Sequence, residues 1–587
     1  MALFTPSASP AVTVKEIDLT GVVPNVQTST GAFVGNFGWG PVGQATLVSD
    51  ESGLVSTFSA PTTSNTVDFH SAAYFLRYSN ALYVVREADS DAVNAVANNS
   101  NLGSLGAQTI NNLDAFEDLS LDSSDGAFIA KYPGELGNGL RVSICATGTD
   151  SSGFDTWTYS SSFDGAPGTS SFVSGLGGSN DEIHVAVIDQ DGTISGTAGT
   201  VLETFPYLSV AANAKASDGT TNYYKDVLKL RSQWVYAGDL HTADSASVSD
   251  FVGTNWGANA TATGEDFAAS FAAASGAEVT WDFASGVSSS TLGTDDVLRG
   301  FDKFEDKDNI EIDFLIAPES ISNTNAATVV NDLVATAESL RKDCVAVASP
   351  SRNAAITVGT NAAVVTNNGA YTKSTYLVQD NNYLKVFDKY NDQYIKIPAA
   401  SSTAGLMAAT DLVAAPWFSP AGSRRGRYLG ITDIVLSPTK SERDTLYKAG
   451  INPIANIPGE GIMLFGDKTN SSRPSAFDRI NVRRLFLGIE RAIAIAGRNV
   501  MFEFNDEFTR AEFVNIVEPF LREIQGRRGI TDFRVVCDET NNTPAVVDRN
   551  EFIANIFIKP ARSINYVTLN FVAVRTGVEF EEVVGTV

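Results

Sequence analysis

The spacing of apolar residues changes several times along this chain, and it is clearest near the C-terminus. At about 100° per residue, Val482, Leu485, Phe486, Ile489, Ala492, Ile493 and Ala496 fall on one arc, which predicts an amphipathic helix facing a core. Ser475-x-x-Asp478 is a capping-box variant preceded by Pro474, and Gly497 is a C-terminal stop, so the expected helix has about 22 residues. Arg479, Arg483 and Glu490 line one edge of the arc. Arg484, Arg491 and Arg498, spaced by seven, share another stripe with Ile480 and Leu487. That second face is basic and partly apolar, which suits either solvent or a partner. A second helix is expected from the capping box Thr509-x-x-Glu512 through Phe513, Ile516, Val517, Phe520 and Leu521 to Gly526, kinked at Pro519. Strands are expected at Val500 to Phe504, Phe533 to Asp538, Phe552 to Lys559 and Ile564 to Arg575, giving a compact α+β unit. Ile564 to Val574 carries large apolar residues on both faces, as in a strand lying inside a sheet.

Upstream, strand-like Ile312 to Ala317 and Val345 to Ala348 flank a helical pattern from Ala326 to Asp343, so about Gly21 to Ala88 and Ile310 to Pro453 read as alternating α/β. Between them, about Asp89 to Asn309 is rich in Ser, Thr, Gly, Ala and Asp. It has short strands such as Ile183 to Ile188 and Trp234 to Ala237, and turns at Asp191-Gly192 and Asp218-Gly219. The expected fold class is therefore a mixed α+β, multidomain chain: an α/β scaffold interrupted by β-rich insertions, followed by an α+β domain.

A length of 587 residues allows about four domains, or fewer with large insertions. Charge divides the chain. Ala421 to Arg534 holds 18 Lys+Arg and 14 Asp+Glu, a net of +4, whereas the other residues hold 23 and 54, a net of −31. A body with net charge −27 repels phosphate backbones and anionic lipid, so nucleic acid and membrane are poor partners. Cys145, Cys344 and Cys537 are too sparse for a disulfide framework, which suggests a reducing compartment. With no secretory n- or h-region at the start and no run of about 18 apolar residues, a soluble product without a signal peptide is expected.

Motifs for catalysis are weak. There is no phosphate loop, nucleophile elbow, His-Glu-x-x-His or Cys-x-x-Cys, and Gly35-x-x-Gly38-x-Gly40 and Gly134-x-x-Gly137-x-Gly139 lack dinucleotide spacing. Gly38-Trp39-Gly40-Pro41 reads as a tight turn around a packed aromatic. His70, His184 and His241 lie far apart and read as structural, and the cysteines as small core residues. Asp189-x-Asp191-Gly192 reads as a hairpin turn rather than a calcium loop, and the acidic run Asp302 to Asp313 as a solvated loop. No cofactor or metal is expected, and the chain reads as non-enzymatic. The ends remain. Ala11 to Leu19, carrying Val12, Val14, Ile17 and Leu19, is β-like without a nearby hairpin partner. The final segment carries Val567, Leu569, Phe571, Val578 and Phe580. Such segments pair within the chain or add a strand to another copy's sheet.

Several stretches resemble the tail sheath proteins of large contractile-tailed bacteriophages. They are Val12 to Leu19 with Ser29 to Pro41; Leu54 to Pro61, with Ser59 where glycine is common; Ala72 to Arg86, ending Val-Val-Arg; and Tyr132 to Leu140. Gly450-Ile451-Asn452-Pro453-Ile454, Phe477 to Leu485 and Arg575-Thr576-Gly577-Val578 complete the set. The Ser/Thr-rich stretch departs most from the family pattern. The resemblance implies a sheath subunit stacked as six-fold rings around a tube. Its arms (1–20 and 563–587) would exchange strands with neighbours, around a scaffold (21–88 plus 310–453), an outer insertion (89–309) and an inner C-terminal domain (454–562). It implies as partners further copies, the tail tube protein, and baseplate and tail terminator proteins, in a virion tail assembled in the host cytoplasm. Arg484, Leu487, Arg491 and Arg498 are the expected tube-facing residues. A contractile secretion or toxin-delivery sheath is the nearest alternative. A carbohydrate-binding or hydrolytic surface protein is an alternative of another class, for which Trp157, Trp234, Trp256 and Trp281 are the only aromatic hints.

Overall fold

The computed structural model describes residues 29–98, 109–119, 126–146, 152–238, 252–253, 255–270, 278–289 and 291–565. These fall into two units: Gln27–Ala415 with Pro420–Ile480, and a C-terminal unit whose described residues are Pro416–Ser419 and 481–565.

The larger unit is built on a six-stranded sheet in the order Leu377–Gln379, Val345–Ala348, Phe314–Ile316, Gly31–Gly35, Leu82–Arg86, Ala45–Val48. All neighbours are parallel except the last pair. Gly31–Gly35 and Val345–Ala348 are buried along their whole length, as strands covered on both faces must be. On one face Ala32, Val34, Leu315 and Ala346 meet Val297 and Phe301 of helix Thr294–Asp302 and Val330 and Leu333 of helix Asn323–Ala335. On the other, Phe314 meets Phe75 of helix Thr66–Leu76 edge to face. The expected helix over Ala326 to Asp343 starts earlier, because the Ser322 hydroxyl accepts from the Asn325 N–H. It widens into π-type turns over Thr336–Arg341 and stops at Lys342, which has φ 61°. Buried Arg341 pairs with Asp343 and donates to the carbonyls of Phe304 and Ile310, pinning the acidic loop that was expected to be merely solvated. At the end of that loop Asp313 is buried and accepts from the Thr30 N–H.

Between the strands Leu82–Arg86 and Phe314–Ile316 the chain makes a second, seven-stranded sheet. Its order is Thr200–Ser209, Glu182–Asp189, Leu140–Ala146, Glu278–Ala284, Val96–Asn98, Phe128–Ala130, Val235–Ala237, antiparallel throughout. At the Asp189 turn the carboxylate accepts from the N–H groups of Gly192, Ile194 and Ser195 and from the Ser195 hydroxyl, which makes it a hairpin closure. His184 is packed against the Phe163 ring, with centroids 4.6 Å apart. Its Nδ1 accepts from the Tyr207 N–H, so Nε2 carries the proton donated to the Gly165 carbonyl, and burial lowers the imidazole pKa. His70 lies 3.1 Å from the Asp388 carboxylate, inside the first unit's core. His241 is outside the described residues. Cys145, Cys344 and Cys537 are all buried thiols.

The two sheets meet where three of the sequence motifs converge. Trp39, in the Gly38-Trp39-Gly40-Pro41 turn, enters the core of the seven-stranded sheet, its ring 5.0 Å from Trp234 and 5.4 Å from Tyr132. Arg86, at the end of its strand, is fully buried. It donates from Nη1 to the Gly40 carbonyl (2.7 Å) and from Nη2 to the Pro133 carbonyl (2.5 Å), and its Nε has no hydrogen-bond partner among the described residues. Burial pulls its pKa down to about 9. Gly40 has φ +101° and Gly134 φ +143°. A Cβ on Gly134 would sit 3.1 Å from the Gly38 carbonyl oxygen, so the junction closes only with glycine there.

A second polar splice joins the end of the parallel sheet to residues 436–470. Gln379, Asp380, Asn381 and Asn382 are all fully buried. Asn452, from the Gly450 to Ile454 motif, donates to the carbonyls of Gln379 and Lys468 and accepts from the Lys468 N–H. Asn381 and Asn382 accept from the N–H groups of Ile454 and Leu436. Asp380 accepts from Ser349, Thr403 and the Asn382 N–H, yet burial dominates and raises its pKa to about 7.

Two outcomes test these junctions. Replacing Arg86 by Met strands two buried carbonyls, so urea unfolding should show a loss of about 2–5 kcal/mol, with less lost for Arg86→Lys. The raised pKa of Asp380 means that the native state holds a proton which the unfolded chain has released. Stability from this group is complete below about pH 4 and falls as pH rises towards about 7. Asp380→Asn should flatten that part of the stability–pH curve measured by thermal unfolding.

Candidate assembly surface

In the C-terminal unit the first helix is Ile480–Arg498, shorter than expected. The Ser475 hydroxyl caps only a short 3-10 turn, Ala476–Asp478. Arg479 is then held extended (φ −119°, ψ 139°), with its guanidinium 3.0 Å from Asp467. The ion pair stops the helix from starting earlier. Gly497 lies inside the last turn rather than ending the helix. On the expected arc, Val482, Leu485, Ile489, Ala492 and Ala496 are buried. Leu485, Ile489 and Ile493 pack with Phe513, Val517, Leu521 and Ile524 of the second helix, Glu507–Gly526.

That second helix begins before the expected Thr509 box, because Asp506 is its cap and accepts from the Thr509 N–H at 2.8 Å. It ends at Gly526 as expected and runs through Pro519, whose exposed position leaves the missing hydrogen bond on the solvent side. A turn then feeds strand Ile530–Val536, which pairs antiparallel with Asn555–Pro560. Phe533, Val535, Ile556 and Ile558 face the helices, while Phe557 stands outward, 59% exposed. Among the described residues this sheet has two strands only.

The basic second face of the first helix differs from expectation. Ile480, Arg484 and Leu487 are buried within the chain, Arg491 is half-buried and Arg498 is exposed. Arg484 and Leu487 therefore do not form a free strip, because the stripe turns inward along the first two turns of the helix. Of the arm residues, Val12, Val14, Ile17, Leu19, Val567, Leu569, Phe571, Val578 and Phe580 lie outside the described residues.

The sequence reading missed a further feature. Val500 to Phe504 is a run of turns, not a strand: the N–H groups of Val500 and Met501 bond three residues back, and Phe502 has φ 70°. Met501, Phe502, Phe504 and Phe508 are left at 57%, 100%, 85% and 77% exposure. The available signal was the density of phenylalanine among Glu503, Asp506 and Glu507 between two helices, which the strand assignment absorbed.

Comparisons with known proteins agree over nearly the whole chain. The model of the phage tail sheath protein central domain matches residues 291–470, and that of the phage tail sheath C-terminal domain matches residues 472–573. The tail sheath protein of Vibrio phage KVP40 is 31% identical, covering 98% of this chain and 99% of the relative. That of Enterobacteria phage T4 is 32% identical with the same coverage. Among solved structures, a sheath tail protein from Listeria innocua shares the fold, with a TM-score of 0.54 at 12% identity over 92% of this chain and 93% of the other. Near one-third identity across both full lengths, with both sheath domains matched in order, places this chain in the phage tail sheath protein family.

Proposed function

We propose that this chain is the structural subunit of a contractile phage tail sheath. It polymerises as stacked six-fold rings around the tail tube and contracts to drive the tube through the host envelope for genome delivery. The observation that carries this reading is the C-terminal hairpin. Among the described residues its sheet has two strands, which is marginal alone, and the edge of such a sheet is a template for a further strand. The terminal segments bearing Val12, Val14, Ile17 and Leu19, and Val567, Leu569, Phe571, Val578 and Phe580, have the apolar pattern to supply further strands. On this reading they are arms added to the hairpins of neighbouring copies. Each main-chain hydrogen bond contributes about 0.5–1.5 kcal/mol net, so several per arm hold the mesh together while weaker contacts exchange.

The contacts that exchange include the tube. With Arg484 and Leu487 turned inward, Arg491 and Arg498 are the residues of the basic stripe left to meet it. Baseplate and terminator proteins bind the two ends of the stack. Assembly takes place in the host cytoplasm, and the free energy released on contraction is stored when the extended state forms.

Removing Met1 to Thr20 should leave a soluble, folded chain that forms no sheath by electron microscopy; normal polymerisation of the truncated protein would refute strand exchange. Arg498→Glu should weaken assembly on purified tubes several-fold more than tube-free self-assembly in sedimentation. Equal effects would remove Arg498 from the tube contact.

A further inference from the structure

The C-terminal unit has two unlike ends, and helix Glu507–Gly526 separates them by about 30 Å at 1.5 Å per residue. At its N-terminal end stand exposed Met501, Phe502, Phe504 and Phe508 with exposed Glu503, Asp506 and Glu507, beside exposed Arg498, whose carbonyl accepts from the Met501 N–H. Asn505 ties this loop to the segment after strand Ile530–Val536, donating to the Glu551 carbonyl at 2.8 Å, and so brings exposed Asp538 and Glu539 to the same end. At the opposite end stand exposed Arg522, Arg527 and Arg528, with Arg522 3.8 Å from Glu518 and Arg527 3.5 Å from Glu523, so the end keeps a basic excess rather than a purely basic surface. The bond from the Ala561 N–H to the Gly529 carbonyl adds exposed Arg562. This basic end also offers an apolar seat. The half-buried Trp417 ring lies 5.0 Å beneath the Arg527 guanidinium, and its Nε1 donates to the Arg527 carbonyl.

We propose that the acidic, phenylalanine-bearing end of one copy docks on the basic, Trp417-bearing end of a second copy. This head-to-tail contact is additional to strand exchange and rests on the reading that the chain polymerises. Like ends repel, which disfavours a symmetric tip-to-tip dimer, whereas unlike ends attract and place the phenylalanines against an aromatic ring and guanidinium planes. Four exposed large apolar side chains, three on one loop and Phe508 in the first turn of the helix that follows, are what an interface centre carries, and charge complementarity selects this chain itself as the occupant. A contact between opposite ends of one body is heterologous, so it generates rings or helical arrays rather than closed dimers.

The full-length chain tests this without tube protein, and the three native cysteines are buried and do not compete. Phe504→Cys and Arg528→Cys chains, mixed and mildly oxidised under assembly conditions, should give a disulfide-linked dimer that neither gives alone. A dimer from Phe504→Cys alone, or none from the mixture, would overturn the proposal. Arg527→Glu with Arg528→Glu should raise the critical concentration for self-assembly at least tenfold, and adding Glu503→Arg with Glu507→Arg should return it to within about threefold. Unchanged self-assembly, with a defect only when tubes are supplied, would make this end a tube contact and refute the copy-to-copy assignment. If the unaltered chain never self-assembles, the polymer reading falls together with this contact; if it does and the variants behave alike, only the contact falls.

Discussion

The larger unit depends on one buried guanidinium. Arg86 bridges the carbonyls of Gly40 and Pro133 with no carboxylate hydrogen-bonded to it among the described residues. The constraint is costly to satisfy: a cation removed from water needs its donors placed, and leaving either carbonyl unpaired costs about 1–3 kcal/mol. Around it, Gly40 and Gly134 adopt conformations open to glycine, and Trp39 carries an aromatic ring from the parallel sheet into the core of the antiparallel one. The fork thus fixes the orientation of one sheet on the other.

The same logic recurs at the Asn452 splice, where asparagine side chains replace a sheet ladder. Each Asn both donates and accepts, so a buried run such as Gln379 to Asn382 can close the backbone groups that the strands leave open at their ends. In a tail sheath protein, these two polar junctions make a stiff body. The C-terminal hairpin has, among the described residues, two strands and an outward-facing Phe557.

Much of this was legible in the residues. Val345–Ala348 and the strand containing Ile183 to Ile188 were readable because strands buried on both faces need nearly continuous apolar runs, broken here only by His184. The second C-terminal helix was readable because its apolar spacing repeats over several turns, and its stop at Gly526 followed from backbone preference. Helix starts were less legible. Ser475 and Thr509 carry the right side chains for capping, but Arg479 is drawn out of the helix by Asp467, and Asp506 competes successfully as the cap. The strand expected at Val500 to Phe504 failed because alternation alone does not supply a pairing partner, and local turns took its backbone bonds.

By itself, then, the sequence determined the local periodicities, the weakness of any catalytic motif, the uneven charge and the resemblance to tail sheath proteins. All of these are properties of neighbouring residues or of composition. Tertiary structure decided which charges are buried. Arg484 was expected to face a tube, yet it is buried, and Arg86 and Arg341 are buried on backbone carbonyls more than thirty residues away in sequence. It also decided that Phe502 and Phe504 are exposed, since hydrophobicity states a preference for burial but only the three-dimensional packing supplies, or withholds, something to be buried against.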